Sequence, residues 1–252
     1  MDRKIKFIIF SKDRAAQLDR LLRSIDKYYP ECNYDVIYKA STEVYDHGYT
    51  LIDHLLRKET TLKVDVIDLM TEEFTCFLVD DMQFINPFTP GEVFDRFAEN
   101  EREACLSLRL YPGITYSYTK DENITPPPET IWPWPHFASY WGYPMSLDGH
   151  IFRTQDIEPT THVYPYKNPN LLERALAHNS IDRDLMMCYD QAKVVNIPLN
   201  LVQVTRQNRN MGIGAEDINW KFLDGQRLKL VELKNHNSCH MAIKPEYEHG
   251  LL

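Results

Sequence analysis

The chain of 252 residues carries 28 lysines and arginines against 37 aspartates and glutamates, a net charge of −9 with histidine neutral, and 43% of it is apolar. That apolar share is enough for a packed core and excludes global disorder, while an acidic chain without a basic run excludes binding that rests on neutralising nucleic-acid phosphates. No apolar run approaches the roughly 20 residues of a membrane helix, and the five cysteines (Cys32, Cys76, Cys105, Cys188, Cys239) show no CxxC spacing, which argues against a disulfide framework or a cysteine zinc site.

The opening MDRKIKFIIFS has an apolar run of only four residues before Lys12, Asp13 and Arg14, too short for a secretory signal. The expectation is a cytoplasmic globular protein forming a single domain over 1–252. Residues 5–10 read as a buried strand, and Leu18, Leu21, Leu22 and Ile25 recur at the helical period, predicting a helix that ends near Tyr29-Pro30. DVIYK at 35–39 reads as a second strand. Val44, Leu51, Ile52, Leu55 and Leu56 mark a second helix, and Leu62, Val64 and Val66 alternate as in a third strand. FTCFLV at 74–79 has the near-continuous apolar character of a central parallel strand. Thr89-Pro90-Gly91-Glu92 is a capping box with proline at the first helical position. Leu106, Leu108 and Leu110 alternate in a further strand.

Between 111 and 143 the regular pattern fails in a proline- and aromatic-rich insertion, whose Trp132, Trp134 and Trp141 are candidates for stacking on sugar or base, or for packing back on the core. MSLDGHIFR at 145–153 reads as a strand or hairpin. A helix opens at Asn168-Pro169-Asn170, KVVNIPLNLVQV at 193–204 reads as an interrupted strand, and a last helix runs over 215–224 to a stop at Gly225. Strands alternating with helices predict an open, mostly parallel twisted α/β sheet flanked by helices.

Two stretches can carry chemistry. Phe77 to Phe84 reads FLVDDMQF, a buried strand that delivers Asp80 and Asp81 at its C-terminal end, the edge where open α/β sheets bind ligands. Adjacent carboxylates repel each other, and a hard divalent cation would offset that cost while keeping sites for substrate phosphates; a solvated Asp-Asp turn is the alternative. Phe7 to Arg14 is a first strand ending in a polar loop at the same edge. Ser11, Asp13 and Arg14 can hydrogen-bond a base or ribose, or Asp13 simply caps the helix. The chain has no GxGxxG after the first strand, and no GxxxxGK[ST], GxSxG or HExxH.

Taken in order over 5–204, these elements resemble the GT-A glycosyltransferases of the family-2-like kind. The resemblance rests on the opening strand and loop, AAQLDRLLRSI at 15–25, the carboxylates at 80–81, DGHIFR at 148–153 and the pattern from Lys193 to Val202. It implies a nucleotide-binding half over 1–110, an acceptor-side half over 111–225 and a tail over 226–252. It further implies transfer of a sugar from a nucleotide-diphosphate donor to a saccharide or other hydroxyl acceptor. Ser11, Asp13, Arg14 and Ser41 would hold the nucleoside, and Arg109 or Arg153 a phosphate. Mn²⁺ or Mg²⁺ would sit on Asp80 and Asp81, with His240 as a C-terminal ligand. A lipid-linked acceptor would make the protein membrane-peripheral.

Three departures follow from the same comparison. Asp80-Asp81-Met82 is not Asp-x-Asp, so either aspartate is the main ligand. The helix before the carboxylate strand is expected to shrink to residues 69–73. The Glu-Asp pair that supplies the base in inverting members is absent at 168–173, which leaves Asp148 or Glu173, the latter also readable as the end of a capping box begun by Asn170. The rival readings are a catalytically silent sugar-nucleotide or glycan-binding module on the same fold and, more weakly, a sugar nucleotidyltransferase.

Overall fold

The computed structural model describes residues 4–99, 101–179, 181–202 and 208–250. Its centre is an eight-stranded sheet. The first strands are β1 (Ile5–Lys12), β2 (Tyr34–Lys39), β3 (Leu56–Lys58) and β4 (Phe74–Val79), all parallel, in the order β3-β2-β1-β4. Beyond β4 the sheet becomes mixed. β10 (His150–Arg153) is antiparallel to both β4 and β6 (Glu103–Ser107); β11 (Leu185–Cys188) is parallel to β6, and β9 (Ile131–Pro133) closes the edge antiparallel to β11. The expectation of a mostly parallel sheet holds: β6 and β11 run in the direction of β1 to β4, and β10 and β9 run against them. Because β10 lies between β4 and β6, the segments before and after residue 110 share one sheet.

Alternation along the strands builds two cores. In β1, Phe7 and Ile9 enter one apolar cluster and Ile8 and Phe10 the other, as a period of two demands. The first face is covered by α1 (Ala15–Tyr28), α4 (Pro90–Ala98) and α7 (Ala215–Leu223) through Leu18, Leu22, Phe97 and Phe222. The second is covered by α3 (Leu62–Leu69), α5 (Thr154–Val163) and α6 (Pro169–His178) through Val66, Ile157 and Leu172. A sheet buried on both faces explains why FTCFLV reads as apolar throughout.

Several expectations are corrected. Residues 62–69 are a helix, α3, not a strand. Leu62, Val66 and Leu69 are buried while Val64 is 52% exposed, so the period of 3.6 overrides the apparent alternation. The helix before the carboxylate strand is therefore present rather than shortened. The second helix, α2 (Glu43–Thr50), stops before Leu55 and Leu56; Leu56 opens β3 and Leu55 is exposed. β6 begins three residues before Leu106. The strand expected over 193–204 narrows to β12 (Val194–Asn196), and Gln203 and Val204 lie outside the described residues. In the insertion, Trp132 and Trp141 are each 1% exposed and meet edge to face at 5.0 Å. Trp134 donates its indole N–H to the Arg183 carbonyl. Of the two readings left open for these tryptophans, the contacts favour packing on the core. The insertion also contains the short pair β7 (Tyr116–Ser117) and β8 (Glu122–Asn123).

The capping box forms as read: Thr89 Oγ1 accepts from Glu92 N, and Glu92 Oε2 accepts from Thr89 N. The cap of α6 is Asn168, whose side chain accepts from Leu171 N, two residues before the expected Asn170.

Candidate active site

A cleft of about 490 Å³ opens over the C-terminal ends of β1, β2 and β4. Its wall includes Ser11, Lys12 and Arg14 after β1, Asp80 and Asp81 after β4, and Asp148 before β10. Asn196, Asn200, Glu173 and His240 complete the far side. The topology explains the gathering: parallel strands send their C-termini to one rim, and antiparallel β10 starts at that rim.

Asp80 and Asp81 form the turn that follows β4, and their side chains have different surroundings. Asp80 points inward. Its carboxylate accepts from Arg14 Nη1 at 2.9 Å and from Ser11 Oγ and the Lys12 N–H, both at 3.0 Å. Burial pushes its carboxyl up, with Arg14 pulling the other way. Asp81 is held by β5 (Met82–Phe84), which pairs antiparallel with β12. It accepts from Asn196 Nδ2 at 3.0 Å, and its side chain is 16% exposed. Asp80 thus organises the loop, and Asp81 faces the cleft.

Arg14 is the hub of the loop. Besides Asp80, it donates through Nε to Asn200 Oδ1 at 2.7 Å and through Nη2 to the Asn200 carbonyl at 2.6 Å. Tyr49 of α2 contacts Ser11 Oγ and accepts from the Arg14 N–H. Asp13 neither caps α1 nor lines the cleft. It has φ of 55° and accepts from the Ser41 N–H at 2.6 Å, tying the ends of β1 and β2 together. Ser41 is exposed and is also absent from the cleft wall.

On the far side, Arg109 is 3% exposed, pairs with Asp148 at 2.8 Å and donates to Ser146 Oγ at 3.0 Å. It stands behind Asp148 rather than in the cleft wall. Arg153 lies at the other rim. It ends a strand antiparallel to β4 and holds the Phe97 and Glu103 carbonyls at 2.9 Å, so the expectation that it lies near the functional edge and could hold a phosphate is corrected. Burial pushes the Asp148 carboxyl up; Arg109 opposes this and Asp81 adds to it.

His240 arrives from the tail. The Asn196 N–H donates to the Cys239 carbonyl and the Met241 N–H to the Asn196 carbonyl, a parallel bridge that seats His240 beside β12. Its Nε2 is 4.0 Å from Asp148 Oδ2, and its Nδ1 is 3.2 Å from the Tyr140 hydroxyl. Burial and the charge of Arg109 push the ring down to about 3, so it is neutral at pH 7. Among the described residues no group of three or more His, Cys, Asp or Glu side chains is arranged to hold a metal ion.

No protein-family model matches the chain. The chain is similar to the bifunctional glycosyltransferase pgtA of Dictyostelium discoideum, at 29% identity over 198 residues. That match covers 61% of this chain and 24% of the relative, so the chain spans only about a quarter of that protein's length. Among solved structures, a cytidylyltransferase from Leptospira borgpetersenii serovar Hardjo-bovis (strain JB197) aligns with a TM-score of 0.45 and 12% identity, over 76% of this chain and 77% of that one.

The structure brings Ser11, Arg14, Asp80, Asp81, Asp148, Glu173 and His240 to one cleft and leaves Asp13, Ser41 and Arg109 outside its wall. Tyr49, Asn196 and Asn200 were not singled out by the sequence. The two asparagines lie inside the 193–202 pattern, but nothing local marks them, because their partners are 115 and 186 residues away.

Proposed function

We propose that the protein is a glycosyltransferase that takes a sugar from a nucleoside-diphosphate donor and passes it to a hydroxyl acceptor. The observation that carries this reading is the convergence of the β1 loop, Asp81, Asp148 and His240 on one cleft at the C-terminal rim of an α/β sheet, in a chain with stretches similar to a glycosyltransferase. The Ser11–Arg14 loop would hold the nucleoside side, with Lys12 and Arg14 supplying positive charge.

Two observations support a Mn²⁺ or Mg²⁺ ion beside Asp81. Its carboxylate lines the cleft, and the neutral His240 ring lines the same cleft. A hard cation bound by one or two carboxylates ordinarily completes its shell with substrate phosphates and water, so this sparse donor set suits such an ion, with neutral His240 nearby. When bound, the ion would neutralise charge on the departing diphosphate.

In the proposed reaction the acceptor oxygen bonds to the anomeric carbon, the bond from that carbon to phosphate oxygen breaks, and the diphosphate leaves with its electron pair. Asp148 takes the acceptor proton. Its raised pKa makes it a stronger base than a solvated aspartate, and Arg109 fixes its orientation. Glu173, in the first turns of α6, orients the acceptor.

Hydrolysis of sugar nucleotides in the absence of acceptor tests the reading. The wild type is expected to release nucleoside diphosphate, and Asp81→Ala to lower the rate at least about a hundredfold, the scale of losing one charge-stabilising group. Because the base must be ionised, activity should fall as pH drops through a value above the ordinary aspartate pKa of about 3.9, and Asp148→Asn should be inactive across the range. The full engagement of Asp80 in internal bonds favours one second reading, a binding module without turnover. Tight nucleotide binding with no hydrolysis and no transfer across a broad glycan panel selects that reading instead.

A further inference from the structure

The cleft changes character along the sheet rim. The strands β3-β2-β1-β4 lie side by side, and four strand ends span about 14 Å at the usual spacing. Lys12, ending β1, stands in register with Lys39, ending β2. Glu59 follows β3, and its N–H donates to the Tyr38 carbonyl at 2.8 Å. From Asp80 outward the rim therefore carries Lys12, Lys39 and Glu59, and all of them line the cleft.

The two ends of this row differ in chemistry. Beside Asp80 the wall is polar, with Ser11, Lys12 and Arg14. Toward β3 it turns apolar. Phe10 and Ile37 are paired in register and, with Leu62 of α3, line the cleft while each is at most 5% exposed. One carboxylate stands next to them. Glu59 has a side chain 15% exposed and accepts from Lys39 Nζ through Oε1 at 2.9 Å. A phosphate beside Glu59 would meet a like charge, so the diphosphate belongs at Lys12 and Arg14. The β3 end suits a neutral, flat group with apolar faces and a polar edge that donates to a carboxylate.

That edge selects among the bases. A carboxylate only accepts, on two oxygens with two lone pairs each, and an ammonium only donates, with three hydrogens. Guanine carries N1–H and N2–H₂ side by side, with O6 next to them. It can therefore donate to both oxygens of Glu59 and accept at O6 from Lys39 without breaking the Lys39–Glu59 bond. On the same edge uracil, cytosine and adenine each offer only one nitrogen that donates.

We infer that the β3 end of the cleft is a guanine site, in which Glu59 accepts from N1–H and N2–H₂ and Lys39 donates to O6. This rests on the nucleoside-diphosphate reading of the cleft, which leaves the base open.

The test is isothermal titration of the full chain with GDP, IDP, UDP, CDP and ADP, with Mg²⁺ in the buffer, beside a thermal melt of each protein. IDP is GDP without the N2 amino group, so the GDP-to-IDP ratio reads the second bond to the carboxylate. The wild type should bind GDP at least about tenfold more tightly than each of the others, the scale of one hydrogen bond to a charged group. Glu59→Gln has a single amide oxygen, and its NH₂ opposes the guanine donors; it should lose at least about tenfold in GDP affinity and bind GDP and IDP alike. Glu59→Ala should also remove the preference. A residue that serves only the fold would lower melting and weaken all five nucleotides together with the GDP-to-IDP ratio unchanged, and that result overturns the inference. Wild-type binding of GDP no tighter than IDP, or of any other base as tight as GDP, overturns it while leaving the cleft a nucleotide site. If the wild type binds none of the five, the functional reading itself fails and the guanine site with it.

Discussion

Arg14 and Asp80 form a buried ion pair, and such pairs are held by what breaking them costs more than by what forming them gains. The Asp80 carboxylate accepts three bonds, and Arg14 donates two more to Asn200. Removing the arginine leaves a buried carboxylate with no cation at bonding distance. Arg14→Met is expected to lower unfolding free energy by about 3–5 kcal/mol, read from the urea midpoint at unchanged slope. A smaller loss would mean that the Ser11 and Lys12 bonds alone carry the charge. The same residues show why Asp80 and Asp81 could not be told apart in the sequence. Their letters are identical, and their roles separate only in the folded turn, where Asp80 accepts from Arg14, Ser11 and Lys12 and Asp81 accepts from Asn196.

At the scale of elements, the turn into β10 places Asp148. Gly149 has φ of +73°, and a Cβ there would lie 2.9 Å from Met82 Cε and 3.0 Å from Val194 Cγ2. Its N–H donates to the Phe77 carbonyl and its carbonyl accepts from the Leu108 N–H, so the strain cannot relax without pulling β10 from its neighbours. Gly149→Ala should cost about 1–3 kcal/mol and, by displacing Asp148, lower turnover more than nucleotide affinity. Steady-state kinetics beside a thermal melt would separate the two.

Elements of this kind were unevenly legible. The parallel half of the sheet, the capping box and the Gly225 stop follow from apolar runs and local chemistry, and so they read directly. Leu62-x-Val64-x-Val66 fits both periods over five residues, and only the burial of Leu69 with exposure of Val64 decides for a helix. α5 carries Pro159 inside it and β11 is only four residues long, so neither gives a clear periodic signal. For the tryptophans of the insertion the sequence left stacking and packing open, because the partners of Trp132 and Trp134 in and before β11 lie some 50 residues downstream.

Over the whole molecule, the cleft draws on residues from the first strand to the tail, with the β13–β14 pair (Gln226–Leu228, Tyr247–His249) tied to α1 through Arg227–Asp19 and Arg23–Glu248. No helix among the described residues is long and apolar enough to cross a membrane. The cleft is therefore a product of the complete tertiary arrangement, and ligand binding should stabilise the chain as a unit. At a ligand concentration of 100 times Kd the gain is about 2.7 kcal/mol, or roughly 5–10 °C in melting temperature for a chain of this size.

The central claim is that this cleft takes a nucleoside diphosphate together with a divalent ion at Asp81. Isothermal titration of UDP, GDP, CDP and ADP, each with and without Mn²⁺, tests it most directly. At least one is expected to bind with Mn²⁺, the same nucleotide to bind at least about tenfold more weakly without it, and Asp81→Ala to abolish the difference. Binding of none of them, or binding that is indifferent to both Mn²⁺ and Asp81, would contradict it.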